Sequence, residues 1–259
     1  AFLEQVREYL DFEPQAAAAA EVESPAPPVD AAHIGVHEQA DSGRYYIGVA
    51  TPFGRMESDQ LRGLADVAEQ YGDGRCRLTV WQNLIVAGIP EAQLAAAKAA
   101  IEALGLQWSV SHARAGIIAC TGNFGCRFAA SDTKSHASML ADHLDAQLQL
   151  DQPLNIHLTG CPNSCAQHTI ADIGLLGTGV EAEDEEMVEG YDVFVGGGFG
   201  GQQGLGRKLY AKVEATQVPP LVESVLRVYH ANRQASDESF QAFVGRTGIE
   251  GVKSLVEAA

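Results

Sequence analysis

Four cysteines constrain this chain more than any other feature. Cys120 and Cys126 form a C-x5-C pair, Cys161 and Cys165 form a C-x3-C pair, and 34 residues separate the two pairs. Thiolates in two such groups are a usual way to hold an iron–sulfur cluster. Such a cluster needs four thiolates converging on a small inorganic core, and loops do this better than helix interiors because loop amides can point at the sulfurs. Gly122 and Gly125 lie inside the first motif, and Gly160 and Pro162 frame the start of the second. Glycine lets the backbone pass close to a cluster, and proline stiffens the turn. Two other readings compete. Structural zinc sites space their cysteine pairs by two to four residues, which fits the second pair but not the first. Reduced core thiols would have no need of glycine-rich loops. The fifth cysteine, Cys76, follows Arg75 and precedes the alternating Leu78 and Val80, so it reads as a strand-end or core thiol.

The rest of the composition narrows the partners. The chain has 259 residues, room for one or two domains, with 46% hydrophobic and 20% charged residues, as in an ordinary globular protein. Clustered cysteines at this low density point to a reducing compartment, hence a cytoplasmic location, rather than to a disulfide scaffold. The net charge of −17 argues against binding nucleic acid or an anionic membrane surface. No apolar run reaches the roughly 18 residues of a membrane span. The start, AFLEQVREYL, has no initiator Met and no signal-peptide pattern, which suggests a fragment or a processed chain. Glu181, Glu183, Asp184, Glu185, Glu186 and Glu189 form an acidic run that reads as a solvated loop.

Three regions follow from the periodicities. Residues 1–32 combine a short amphipathic helix over 1–12 with an Ala/Pro/Glu-rich linker over 13–32. Residues 33–110 read as a βαββαβ, ferredoxin-like unit. Its strands are RYYIGVAT, one or two within CRLTVWQNLIVAGI, and Trp108–Val110. Its helices are one capped by Ser58 and ended by Gly72, and one over Glu91–Leu104. Residues 111–259 read as an α/β domain carrying both cysteine motifs. There a helix is expected over 128–148, a strand through Leu154, Ile156 and Leu158, and strands at 170–176 and 191–195. Further helices are expected near 204–215, 220–233 and 237–245. The fold class is therefore α+β.

The segments ACTGNFGCRFAASDTK and HLTGCPNSCAQHTIADIG resemble the cluster motifs of the nitrite and sulfite reductase haemoproteins, over roughly residues 33–250. The resemblance implies that Cys120, Cys126, Cys161 and Cys165 hold a [4Fe–4S] cluster, with Cys165 also bridging to the iron of a sirohaem. RLTVWQNLIV is similar to a family segment in which Gln82 and Asn83 lie near the sirohaem. Asn163 matches a residue close to a sirohaem carboxylate, and Asn123 and Arg127 fall on the cofactor side of the first motif. Arg114, Arg127 and Lys134 are candidates for local charge compensation. CTGNFGC is closer to the nitrite version of the motif, which implies the six-electron reduction of nitrite to ammonia in nitrate assimilation. Sulfite reduction, or a haem-free electron-transfer module, is the alternative. The family's complete enzymes have two related halves, and this chain resembles the second. Its implied partners are the N-terminal half or a second copy, and a ferredoxin or flavoprotein donor.

Two further features carry less. Gly196, Gly198 and Gly201 satisfy G-x-G-x-x-G, but no βαβ unit opens there, and Glu214 falls inside an expected helix. A tight turn near the cluster, with amides available to a sulfur or carboxylate, is the better reading. His157 and His168 flank the second motif, where they suit either a supporting role or satisfied polar positions.

Overall fold

In the computed structural model, which describes residues 2–13, 33–41, 43–182, 186–199 and 203–259, the strands form two separate sheets. The expected N-terminal helix is α1, Phe2–Arg7, shorter than the 1–12 pattern. Residues 14–32 of the expected linker lie outside the described residues.

The first sheet contains β1 (Gly35–Glu38), β2 (Arg44–Val49), β3 (Cys76–Leu78) and β4 (Leu84–Pro90). All pairs are antiparallel, in the order β1-β2-β4-β3. Helices α2 (Ser58–Tyr71) and α3 (Leu94–Ala103) close its core with Leu64, Val67, Ala68, Ala97 and Ile101. This is the ferredoxin-like arrangement, with local departures. The cap of α2 is Glu57 rather than Ser58, because the Gln60 side chain accepts the Glu57 amide at 3.0 Å. The expected strand at Trp108–Val110 shrinks to one bridge between Ala50 and Gln107. The unanticipated β1 takes the place beside β2 instead, and the Trp108 indole donates to Glu102 at 2.8 Å. Cys76 is exposed at the start of the edge strand β3, so it is a strand-end thiol and not a core one.

The second sheet follows α4 (His112–Ala115) and runs β5-β6-β7-β8-β9. Its strands are β5 (Ile117–Ala119), β6 (Ile156–Thr159), β7 (Ile173–Glu181), β8 (Met187–Val195) and β9 (Arg207–Glu214). β5, β6 and β7 are mutually parallel, whereas β7-β8-β9 is an antiparallel meander. Parallel neighbours need long crossovers. Between β5 and β6 this is a loop plus α5 (Thr133–Gln147), and between β6 and β7 it is the second cysteine loop and a 3-10 turn at His168–Ile170. α5 starts five residues later than its apolar pattern suggests, because the Asp132 carboxylate caps it by accepting the Ser135 amide at 3.3 Å. Its buried face, Ala137, Leu140, Ala141 and Leu144, packs on the sheet, each leucine contributing roughly 1.5–3 kcal/mol. Helices α6 (Val218–Asn232), α7 (Phe240–Thr247) and α8 (Ile249–Glu257) complete that core.

The expected helix at 204–215 is a correction: those residues form β9. Leu209 and Val213 stand four apart and mimic a helical stripe, but Val213 pairs with Tyr191 of β8 and Leu209 falls at the irregularity between the Val193 and Phe194 pairs. The loop at 196–206 therefore leads into a strand, and Glu214 ends that strand. Gly201 lies outside the described residues. The amides of Gly196, Gly198, Gly204 and Gly206 are all bonded to backbone carbonyls, so they are not available to a ligand as expected.

Candidate metal centre

Both cysteine motifs leave the carboxyl ends of adjacent parallel strands, where ligands bind in open α/β sheets. Ala119 pairs with Leu158 across β5 and β6, and the Cys120 amide donates to the Leu158 carbonyl at 3.0 Å. The first loop, 120–132, and the second, 160–167, then meet. The Gly160 amide donates to the Cys120 sulfur at 3.2 Å, and the Ala130 amide donates to the Gly160 carbonyl at 2.7 Å. Gly160 has no room for a side chain there, since a Cβ would lie 2.6 Å from that of Ala129. Gly122 turns with φ +70°, and the Thr133 hydroxyl donates to the Cys120 carbonyl at 2.7 Å.

The four thiols are free and unequally placed. Cys161 is buried, Cys120 and Cys126 are half-buried, and Cys165 is exposed. Ser164 and Gln167, on either side of the Cys165–Ala166 pair, both hold the left-handed conformation at φ 55°. Such backbone persists only where its surroundings enforce it; here the Ser164 hydroxyl bonds His168 Nδ1 at 2.9 Å. Among the described residues, no three His, Cys, Asp or Glu side chains are gathered as around a single metal ion. A [4Fe–4S] cluster gives each thiolate its own iron, so its ligands surround a cage. Free thiols on two abutting loops, with a backbone amide aimed at one sulfur, fit that requirement.

The other expected site residues are mostly engaged in holding these loops. Gln82, at φ 61°, docks on the residue before Cys120: its Nε2 donates to the Ala119 carbonyl at 2.8 Å, and its Oε1 accepts the Ala119 amide at 3.3 Å. Asn83 is buried and accepts the Thr51 amide at 3.1 Å. Asn123 donates to Glu189 at 2.6 Å. Arg127 lies 4.9 Å over the exposed Phe128 ring, and Asn163 is exposed at the tip of the second loop. Arg114 is paired with Asp142 and Asp145 at 2.5 and 2.8 Å and is not free to compensate a cluster. Lys134 is half-buried, and desolvation first, then the Arg55 charge, hold its ammonium down at about 8.

His157 and Thr159 are buried on β6. Among the described residues, His157 Nε2 and Thr159 Oγ1 have no hydrogen-bond partner, and Trp81 meets the His157 ring edge-on at 6.3 Å. Burial pushes His157 down to about 4, so it is neutral. Two orphaned polar atoms four and two residues before Cys161 are where a polar cofactor edge would be satisfied.

Sequence reasoning missed Glu189. It belongs to the acidic run, of which residues 183–185 lie outside the described residues, yet it is not a solvated loop residue. Its carboxylate accepts Asn123 Nδ2 and the Asp132 amide, both at 2.6 Å, tying the first cysteine loop to β8. Its place inside a strand, beyond the loop proper, is the signal that separates it from its neighbours.

A two-sheet α+β protein with a cysteine-lined centre at the edge of parallel strands defines a metal–sulfur protein class, and comparison with known proteins gives the family. Residues 37–104 match the nitrite/sulfite reductase ferredoxin-like half domain, and residues 112–259 match the nitrite and sulphite reductase 4Fe-4S domain. The chain belongs to the nitrite/sulfite reductase family. It is 42% identical over 195 residues to the ferredoxin–nitrite reductase of Synechococcus elongatus, covering 74% of this chain and 38% of that protein. It is 39% identical over 217 residues to sulfite reductase [ferredoxin] 2 of Mycolicibacterium paratuberculosis, covering 80% and 39%. The structure of Mycobacterium tuberculosis NirA superposes with a TM-score of 0.81 at 34% identity, covering 89% of this chain and 42% of that one. The chain thus spans about two fifths of the length of the curated relatives it matches. Among the described residues no helix is long and apolar enough to cross a membrane.

Proposed function

We propose that this chain is the cluster- and sirohaem-binding half of an assimilatory nitrite reductase of the cytoplasm. The observation that carries the reading is the meeting of two cysteine loops at one edge of the β5–β6 pair, joined by the Gly160 amide on the Cys120 sulfur. Cys120, Cys126, Cys161 and Cys165 would hold the [4Fe–4S] cluster, and Cys165, the exposed one of the four, would be the thiolate shared with the sirohaem. When bound, this pair of cofactors stores electrons and supplies the reducing metal. The chain's own residues do the positioning. Gln82 fixes Ala119 and hence Cys120, the left-handed Ser164 and Gln167 present Cys165, and the Gly160 amide lowers the electron density on the Cys120 sulfur. Asn163 and the unpartnered polar atoms of His157 and Thr159 would be available to the polar edge of the sirohaem.

Nitrite is preferred over sulfite because the first motif reads CTGNFGC. A ferredoxin is the donor, in keeping with the names of the relatives. A second half, from the same polypeptide or another copy, completes the pocket and supplies the cationic groups that hold the anionic substrate.

The test is anaerobic purification of the full-length protein with iron, sulfide and sirohaem quantified, followed by nitrite and sulfite turnover with reduced ferredoxin. A higher kcat/KM for nitrite is the expected result. A higher value for sulfite moves the protein to the sulfite branch. A cluster without sirohaem makes it an electron-transfer module.

A further inference from the structure

Of the three cations nearest the first cysteine motif in sequence, one is placed unlike the others. Arg114 is neutralised by two aspartates, and Arg127 lies out over Phe128. Lys134, the second residue of α5, reaches back across the junction between the sheets. Its ammonium donates to the Ala119 carbonyl at 2.7 Å, to Gln82 Oε1 at 3.2 Å and to the Phe53 carbonyl. These acceptors are all neutral, and two of them belong to the segment preceding the second sheet. Its acceptor Ala119 is the residue immediately before Cys120, so the ammonium is held against the start of the first cysteine loop.

The surroundings are shaped to keep that ammonium in place. Phe53, Gly54 and Gln82 all have left-handed backbones, at φ 50°, 79° and 61°. A side chain at Gly54 would place its Cβ 3.1 Å from Gln82 Cβ and 3.4 Å from Lys134 Nζ. Two non-glycine residues, Phe53 and Gln82, in a sparsely populated conformation around one amine mark a site held by its contacts rather than by local preference. A half-buried cation with neutral partners costs desolvation energy that a surface lysine avoids. A nearby fixed negative charge offsets that cost, and the cluster is the negative charge this part of the fold is built to hold.

We infer that Lys134 is a tuning residue for the iron–sulfur cluster: it fastens the Gln82 turn to Ala119 and sets a fixed positive charge beside the Cys120 thiolate, raising the cluster's reduction potential. Adding an electron makes the cluster more negative, and a positive charge at close range in a low-dielectric setting stabilises that state over the oxidised one. This rests on the proposed function, since it presumes that Cys120 is a cluster ligand.

The experiment compares Lys134→Met, Lys134→Gln and Lys134→Arg with the wild type in the anaerobically purified full-length holoenzyme. The midpoint potential of the cluster is read by EPR-monitored redox titration, with iron and sulfide content and circular dichroism recorded alongside. The expected result is a cluster midpoint shifted to more negative potential in Lys134→Met and Lys134→Gln, with Lys134→Arg remaining nearer the wild type. Loss of the cluster from the two neutral variants but not from Lys134→Arg also supports the inference. Equal midpoints in all four proteins overturn it. So does cluster loss from all three variants alike, because space rather than charge would then be what matters. A wild-type holoenzyme with no iron–sulfur signal defeats the functional reading itself, which separates the two failures.

Discussion

Buried His157 and half-buried Asp172, near the second cysteine motif, titrate in opposite senses. Burial holds His157 down at about 4, against an ordinary value of 6.5. The unfolded chain therefore takes up a proton that the folded chain refuses, and the stability provided by neutral His157 is lost as pH falls from about 6.5 to 4. Burial instead raises the Asp172 carboxyl from 3.8 to about 6, although it accepts the Asn155 amide at 2.9 Å. There the folded chain holds the extra proton, and stability is lost as pH rises from about 4 to 6. Each effect is on the order of 3 kcal/mol at most. Relative to the wild type, His157→Leu should gain stability as pH is lowered through this window, and Asp172→Asn should gain as pH is raised. Urea midpoints at pH 4.5 and 7 check both, and parallel curves for all three proteins would show that neither group is perturbed. The cysteines and their glycines were legible because their chemistry is local. Glu189 and the engagement of Gln82 were not, because each depends on a partner 57 or 37 residues away.

At the scale of elements, β6 is buried on both faces, whereas α5, α6 and α7 follow the apolar periodicity of their sequences, since each buries one regular stripe. β9 does not, because bulged pairing with β8 breaks the alternation that would have revealed a strand. The exposed Leu78 and Val80 show the same limit, alternating in sequence yet standing 80% and 86% exposed beside the edge strand β3. What the elements do at the site is bring two loops into van der Waals contact, and Gly160 is where they touch. Gly160→Ala should push the loops apart, leaving the circular dichroism spectrum intact but lowering the iron bound per chain after reconstitution. Gly245→Ala is the contrast. Gly245 lies in α7, and a Cβ added there would meet nothing within 4 Å, so the substitution should raise stability by roughly 0.5–1 kcal/mol and leave iron content unchanged. Equal iron content in both variants would mean that the loop contact does not position the thiols.

For the whole molecule the governing quantity is charge. The chain carries 17 Lys and Arg against 34 Asp and Glu. Many of the basic side chains are already committed: Arg114 to Asp142 and Asp145, Arg227 to Glu223, Arg233 to Asp151, Arg246 to Glu238, and Lys208 to Asp192. Lys134 is bound into the junction described above. Sirohaem is rich in carboxylates, and burying them against a surface of this sign costs free energy unless cations are supplied. A cluster makes a smaller demand, since amides and glycines on two loops of this chain already serve it. The chain on its own should therefore take up iron and sulfide on anaerobic reconstitution but retain well under one sirohaem per chain through gel filtration. Adding the complementary half of a full-length relative should restore retention. One sirohaem held tightly by the chain alone would show that its few uncommitted cations, Arg55 and Arg127 foremost among those near the cysteine loops, are enough to complete the pocket.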